Sequence, residues 1–225
     1  SNVEIDAIQT ACNVANCAFA RVPEIAGENV PLSTVFRKFQ MLCLDEGAEF
    51  VSYLAGAAGQ GGYEDVISPA CEKQLEDGDV LMLDTGLVVN GYFCDFNRNF
   101  AVGSITDACQ AAHGQLIDAI NAAMQIAKPG TTAAQLFHVM DKIVTGGAGG
   151  SDTGRLGHGI GMQLTEWPSL MSADKTVLAK GMVLTLEPGI DMGGGKMLVH
   201  EENIVVTENG AHFLSAPYTH HMVML

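Results

Sequence analysis

The sequence predicts an α/β domain made of two similar lobes, and three observations lead to this prediction. The patterns along the chain run helix, helix, strands, and then helix, helix, strands again. The second helix of each half opens with a similar phrase, at residues 30–36 and 129–137, which is a faint repeat of about 100 residues. The chain has 225 residues, 48% of them hydrophobic, and this is enough for one sizeable core or two small lobes.

The first half opens with two predicted helices. The first carries apolar residues at steps of three and four, typical of one helix face, at Ile5, Ile8, Cys12, Ala15 and Phe19. The second is predicted over residues 31–46, with Phe36, Phe39 and Cys43 facing inward. Residues 50–62 are small and glycine-rich, and no element is assigned to them.

A hairpin follows these helices. Residues 80–84 are a continuous apolar run that ends in Asp84, behind the turn signal at 76–78, and they predict a buried strand. Asn90 and Gly91 predict a tight turn because both tolerate positive φ. The second arm is predicted over residues 92–102.

The second half repeats this order. Helices are predicted over residues 106–128, ended by Pro129 and Gly130, and over 132–144, ended by Gly146 and Gly147. The glycine-rich stretch 146–150 is interpreted as a connector. Residues 154–214 are predicted to form strands and turns.

The bulk properties exclude several classes of protein. The mean hydropathy of +0.20 excludes a disordered chain. The net charge of −15 argues against a nucleic-acid partner because a phosphate backbone repels an acidic surface. No apolar run approaches the roughly 20 residues that a membrane span needs. The six cysteines form no C-x-x-C pair, so we interpret them as reduced, mostly buried side chains of a cytoplasmic protein.

Carboxylates stand beside several predicted strands. Asp95 follows Asp84 by 11 residues across the turn, and a hairpin register can bring both to one face of a sheet. Either one alone would be a turn or helix cap. Glu187 ends the apolar run 183–186 before a Pro-Gly turn, and Glu201 lies within the strand pattern 198–206, where alternation places Asn203 on the same face.

One histidine has an unusual setting. His158 is flanked by Gly157 and Gly159, so its backbone either approaches another group closely or adopts angles that other residues avoid. A lone histidine is usually structural. A histidine with glycine on both sides is a ligand about as often as it is structural.

These residues together indicate a metal site. Buried carboxylates are costly unless neutralised, and only Arg98 and Arg155 lie in these segments. A pair of metal ions could balance four acids. Four carboxylates and one imidazole suit Mn²⁺, Fe²⁺ or Co²⁺ better than a thiolate zinc site, so we expect two divalent ions that activate a shared water.

Five ordered motifs resemble those of the pita-bread metallopeptidases, a family that includes methionine aminopeptidase, aminopeptidase P, Xaa-Pro dipeptidase and the metal-free creatinase. The motifs are DTG at 84–86, GYFCDFNRNF at 91–100, GHGIG at 157–161, GMVLTLEPG at 181–189 and EENIVVTENG at 201–210. The resemblance covers nearly the whole chain.

The resemblance implies a role for each residue. Asp84 would chelate one metal, Asp95 and Glu201 would bridge both, and His158 and Glu187 would complete the other. Glu187 would also shuttle a proton from the bridging water. The implied fold is a pseudo-twofold α/β domain of two lobes with antiparallel sheets flanked by helices, and residues 1–225 would be a single catalytic domain without the separate N-terminal domain of prolidases. A peptide or small-molecule substrate and a homodimer are also expected.

The chain departs from the family pattern at two positions. Thr165 stands where these peptidases have a second histidine, seven residues after His158, and no histidine precedes Asp84. Such donors contribute roughly 10²–10³ in rate, and among the side chains Tyr63 is the candidate replacement. We therefore predict that Thr165 and Glu187 are the catalytic residues. A metal-dependent lyase of a small carboxylate, similar to dimethylsulfoniopropionate lyase, is the alternative function, and a protein-binding scaffold is a third.

Other residues have weaker claims to a function. His113 and His138 lie in predicted helices and are interpreted as surface or core residues. His220 and His221 could reach the cleft or a partner, or belong to a disordered tail. Trp167 is equally compatible with the substrate pocket and with core packing.

Overall fold

The computed structural model describes residues 1–147 and 154–225. Residues 148–150 of the predicted connector lie outside the described residues. The helices are α1 (Asn2–Ala20), α2 (Leu32–Asp45), α3 (Asp107–Ile126) and α4 (Ala133–Val144). The strands are β1 (Phe50–Gln60), β2 (Asp79–Val89), β3 (Tyr92–Phe93), β4 (Phe96–Ala101), β5 (His158–Gly159), β6 (Glu166–Ser169), β7 (Val183–Leu186), β8 (Gly189–Gly193), β9 (Lys196–Val199), β10 (Glu202–Val206), β11 (Ala211–Phe213) and β12 (Val223–Met224).

All four predicted helices are confirmed within a few residues. Helix α1 starts with a capping box in which Ser1 accepts from the Glu4 main chain and Glu4 reaches back, and its predicted apolar face is buried except at the half-buried Ile5. Helix α2 follows Pro31, and its predicted inward residues are buried. Thr106 and Thr132 cap α3 and α4.

The first sheet has the strand order β1-β2-β4-β12, with β3 paired to β2. Its strands are antiparallel except that β12 lies parallel to β4. Asn90 and Gly91 both have positive φ at the predicted turn. Strand β2 continues to Val89, so the prediction that Asp84 ends it was wrong. Asp84 lies mid-strand, opposite Ala55 and Asn97.

The second sheet has the order β11-β10-β7-β5-β6, and β8 and β9 form a separate hairpin. The single strand predicted over 198–206 was wrong because the chain leaves the β8–β9 hairpin after Val199 and enters the second sheet at Glu202. Glu201 lies at this crossing between sheets. The alternation predicted around it holds only within β10.

Within residues 1–147 and 154–225, the buried apolar residues form three clusters, and the first of them draws on both lobes. One cluster joins α1 and α2 to the first sheet and includes Val183, Val205 and Leu214 of the second lobe. A second cluster packs α3 and α4 against β7 and β10. All six cysteines are free, and four are buried, with Cys17 and Cys71 exposed. No helix in the described part of the chain is long and apolar enough to cross a membrane.

Candidate metal centre

Three of the predicted ligands lie together where the two sheets meet. The ligand atoms of Asp95, His158 and Glu201 lie within 4.8 Å of one another, and all three residues are buried. Asp95 Oδ2 lies 3.4 Å from His158 Nε2. Asp95 comes directly before β4 and Glu201 directly before β10, so the cluster draws on both lobes.

The orientation of His158 leaves its Nε2 atom available as a ligand. Its Nδ1 lies 2.8 Å from the carbonyl oxygen of Gly159, and because a carbonyl only accepts, Nδ1 carries the proton. Close backbone contacts, and at Gly157 also an unusual φ, explain the flanking glycines as predicted. Gly157 has φ +143, and a Cβ there would collide with Thr185 O, whereas a Cβ at Gly159 would collide with Trp167 O.

Asp84 and Glu187 face the same cavity as this cluster. The cavity has a volume of about 820 Å³, and all five predicted ligands line it. Glu187 follows β7 and is half-buried, and its Oε1 accepts from Arg155 Nε at 3.1 Å. The structure thus brings the five residues together, and their role as ligands stays a prediction.

The pKa values of the four carboxyl groups are shifted. Burial raises the pKa of all four, namely Asp84, Asp95, Glu187 and Glu201. Repulsion from neighbouring carboxylates raises the pKa of Asp84, Asp95 and Glu201 further. Burial lowers the pKa of His158, which favours the neutral imidazole that a metal requires.

This donor set fits a divalent metal. Asp84 Oδ1 and Glu201 Oε1 are buried atoms without a hydrogen-bond partner among the described residues. Unpaired buried oxygens of this kind need an explanation such as an ion. Arg98 does not neutralise them because it pairs with Glu202, and Arg155 contacts only Glu187 among these carboxylates.

Sequence reasoning missed two hydroxyl groups at this centre. Tyr53 of β1 lines the cavity, and burial together with the nearby charges of Asp84, Asp95 and Glu201 raises the pKa of its hydroxyl. Thr185 of β7 accepts at Oγ1 from the main-chain N–H of His158, at 3.1 Å. Thr185 lies within a recognised motif and could have been found there. Tyr53 lies in the segment to which no element was assigned.

Comparison with known proteins decides the family. The model of metallopeptidase family M24 matches residues 6–208. The chain belongs to metallopeptidase family M24. Membership in this family implies divalent metal ions.

Several relatives of this M24 chain have reported names or structures. It is 33% identical to the Xaa-Pro dipeptidase of Pyrococcus furiosus over 218 residues, which are 94% of this chain and 61% of that one. The prolidase structure from the same organism superposes with a TM-score of 0.88 at 31% identity, covering 97% of this chain and 65% of that one. Methionine aminopeptidase from Rickettsia prowazekii has a TM-score of 0.84 at 16% identity, covering 96% and 98% of the two chains. The fold is therefore the pita-bread fold, as predicted, and the chain spans about three fifths of the curated Xaa-Pro dipeptidases that it matches.

The departures from the family pattern lie at the cavity wall of this M24 chain. Thr165 is exposed and lines the cavity beside Leu164. The part of the chain before Asp84, which has no histidine, contributes the apolar residues Val66 and Ile67 to the same cavity wall. Tyr63 does not replace either imidazole, because it is buried away from the cavity lining and its hydroxyl binds Asn99 Oδ1 and the main chain of Val199.

Other candidate residues lie apart from the metal centre. Trp167 is 71% exposed and lines no part of the cavity, so neither of its two predicted placements was correct; its Nε1 donates to Thr176. His113 is a core residue and His138 an exposed one, as predicted. His220 lies 2.9 Å from Asp118 and does not reach the cleft, and His221 is exposed.

Proposed function

We propose that this chain is the catalytic domain of a dinuclear metallopeptidase that hydrolyses Xaa-Pro dipeptides. The observation that carries the proposal is the convergence of four carboxylates and one imidazole on a single cavity, with two buried carboxylate oxygens unpaired. The names of the relatives support the peptidase assignment. They give no support to the lyase alternative.

In this proposal, Asp95 and Glu201 would be ligands shared by the two ions, Asp84 would complete one site, and His158 and Glu187 would complete the other. The pKa of Glu201 is raised by each of the three other carboxylates, which supports a central position. The oxygen-rich donor set favours Mn²⁺, Co²⁺ or Fe²⁺ over Zn²⁺. When bound, such ions supply Lewis-acid activation of water and of the scissile carbonyl.

The side chains of this chain perform the remaining steps. The Nδ1–H of His158 is held by Gly159 O, which keeps the ring fixed with Nε2 toward Asp95. Glu187 Oε1 accepts from Arg155, so Oε2 is the oxygen left to take a proton from water and pass it to the leaving nitrogen. A cavity of about 820 Å³ is of the size that accommodates a small peptide. A homodimer and a cytoplasmic location are part of this proposal.

The test is metal loading of the full chain after treatment with a chelator. We expect two Mn²⁺ or Co²⁺ ions per chain by elemental analysis, and slow release of proline from Xaa-Pro dipeptides. Asp95→Ala should lose both ions. Asp191→Ala, which removes an exposed carboxylate from the same cavity wall, should keep them. A loaded wild type without metal, or an Asp191→Ala variant that loses as much metal as Asp95→Ala, would overturn the proposed centre.

A further inference from the structure

Two buried asparagines bind the main chain of residues in opposite lobes. Asn97 of β4 accepts at Oδ1 from the main-chain N–H of Glu201, at 3.0 Å. Asn203 of β10 accepts at Oδ1 from the main-chain N–H of Asp95, also at 3.0 Å, and its Nδ2 donates to the Asp95 carbonyl oxygen. Each asparagine therefore holds the residue that stands two positions before the other asparagine.

The chemistry of the partners fixes the orientation of both carboxamides. A main-chain N–H only donates and a main-chain carbonyl only accepts, so Oδ1 must face the two N–H groups. Asn203 satisfies both main-chain groups of Asp95. An apolar side chain of similar size could satisfy none of them, and both asparagines are almost fully buried, where unsatisfied groups are costly.

We propose that Asn97 and Asn203 form a reciprocal clamp, the positioning residues that set the distance between the Asp95 and Glu201 carboxylates. This inference rests on the metal centre proposed above. Asp95 lies directly before β4 of the first sheet and Glu201 directly before β10 of the second, and no strand ladder joins the two sheets among the described residues. Something other than sheet pairing must therefore fix their separation.

Two facts make such a clamp necessary: the carboxylates repel each other, and a metal tolerates little error in its ligand distances. Two buried carboxylates repel each other, and metal–ligand distances are met only within about 0.2 Å. The Glu201 peptide is also held at its other end, because Arg98 Nη1 donates to the Glu201 carbonyl oxygen at 3.0 Å. The main chain of each proposed bridging ligand is thus held at both its N–H and its carbonyl group.

The chain offers a matched control. Asn99 lies on the same strand as Asn97 and is equally buried. Its carboxamide donates to Val199 O at 2.6 Å and accepts from the Tyr63 hydroxyl, so it binds no main-chain group of a proposed ligand. Replacing Asn99 removes comparable hydrogen bonds without touching the clamp.

The experiment compares Mn²⁺ affinity by titration calorimetry on the metal-free full chain. We expect Asn97→Ala and Asn203→Ala to weaken Mn²⁺ binding by about 10–100-fold, the usual effect of losing a partner that orients a ligand. All three variants should have a lower Tm than the wild type. Asn99→Ala should nevertheless bind Mn²⁺ as the wild type does. Cobalt absorption spectra of the two clamp variants should change, and that of Asn99→Ala should not.

The outcomes separate the clamp from the metal centre. A wild type that binds no Mn²⁺ contradicts the metal centre itself. A wild type that binds Mn²⁺, with clamp variants that bind it equally well, overturns the clamp and leaves the centre intact. The clamp is also overturned if Asn99→Ala weakens binding as much as the other two. If an alanine variant does not fold, Asn97→Ser and Asn203→Ser make the same comparison, since a serine hydroxyl is too short to span the gap.

Discussion

At the scale of single residues, Thr165 occupies the position at which a longer cationic donor is expected. Its hydroxyl is exposed at the cavity wall, it is shorter than an imidazole, and it cannot carry a positive charge. Tyr63 is committed to Asn99 and Val199. The oxyanion of the proposed amide hydrolysis would therefore have fewer donors on this side of the cavity.

Thr165→His should restore part of the missing stabilisation. We expect kcat/KM on Xaa-Pro dipeptides to rise by about tenfold or more, since one oxyanion donor contributes up to roughly 10²–10³. Gln163→His, in the same exposed loop but outside the cavity lining, is the matched control and should change little. Equal rates for both variants would show that the donor at 165 is not what limits the reaction.

Glu187→Gln separates the two roles proposed for this residue. The amide keeps the shape of the side chain but cannot take a proton, so turnover should fall by roughly 10²-fold or more. Metal content must be measured on the same samples because Glu187 is also a proposed ligand. A fully metallated Glu187→Gln variant with wild-type turnover would remove the proton-transfer role and leave the ligand role.

At the scale of elements, the start of β10 is tied to β4 by a buried ion pair. Arg98 Nη2 lies 2.9 Å from Glu202 Oε2, and both side chains are almost fully buried. Glu202 also accepts from Ser215 and lies 3.0 Å from His200 Nε2, and the Arg98 guanidinium lowers its pKa against the effect of burial. The pair thus joins both sheets to the C-terminal segment.

Glu202→Ala should destabilise the fold strongly. It leaves a buried Arg98 charge without its partner, which costs about 3–5 kcal/mol. Glu208→Ala, which removes an exposed carboxylate paired with Lys180, should change the free energy of unfolding by less than about 1 kcal/mol. Urea denaturation monitored by circular dichroism measures both. Similar losses in the two variants would contradict the importance of the buried pair.

The elements also show what the sequence could and could not predict. Helices α1 to α4 and the turn at Asn90 and Gly91 have strong periodicity or turn signals and were predicted correctly, although β2 continues beyond Asp84 to Val89. Strand β1 was missed because its small residues lack the alternation typical of strands; Gly56 in particular leaves no room for a Cβ beside Met82 O and Phe36. The break before Glu202 was missed because residues 198–206 alternate as one strand would.

The candidate site was predictable in its charged residues and not in its neutral ones. Asp84 and Glu187 follow apolar runs, His158 lies between glycines, and Asp95 and Glu201 lie within strand patterns, which marks each proposed ligand in the sequence. Asn97, Thr185 and Tyr53 contact the ligands only through tertiary structure. Asn97 and Thr185 lie within the quoted motifs, but their hydrophobic pattern does not distinguish any of the three from ordinary strand residues.

At the scale of the whole molecule, the proposed metals would link two lobes whose carboxylates repel each other. Without metal, the raised pKa values mean that the folded chain holds protons that the unfolded chain releases above about pH 4. The contribution of these groups to stability is thus present at low pH and is lost as pH rises through the raised folded-state values. Divalent ions would replace those protons.

The gain in Tm on loading with Mn²⁺ should therefore widen as the pH rises from 5 to 8. Metal binding displaces protons and strengthens as they become easier to remove, while the metal-free form becomes less stable. Calorimetric scans of loaded and chelator-treated protein measure the difference, and Asp95→Ala should show almost none. A gain that stays constant or shrinks with pH would mean that metal and protons do not compete at these carboxylates.

The exposure of Trp167 has a practical consequence for all of these measurements. It is the only tryptophan in the chain, and its indole already faces solvent while Nε1 is held by Thr176. Its surroundings change little when the core opens or when the cavity fills. Intrinsic fluorescence of the indole should therefore report on the edge strand β6 alone. A spectroscopist who follows only this signal would miss the unfolding of both lobes.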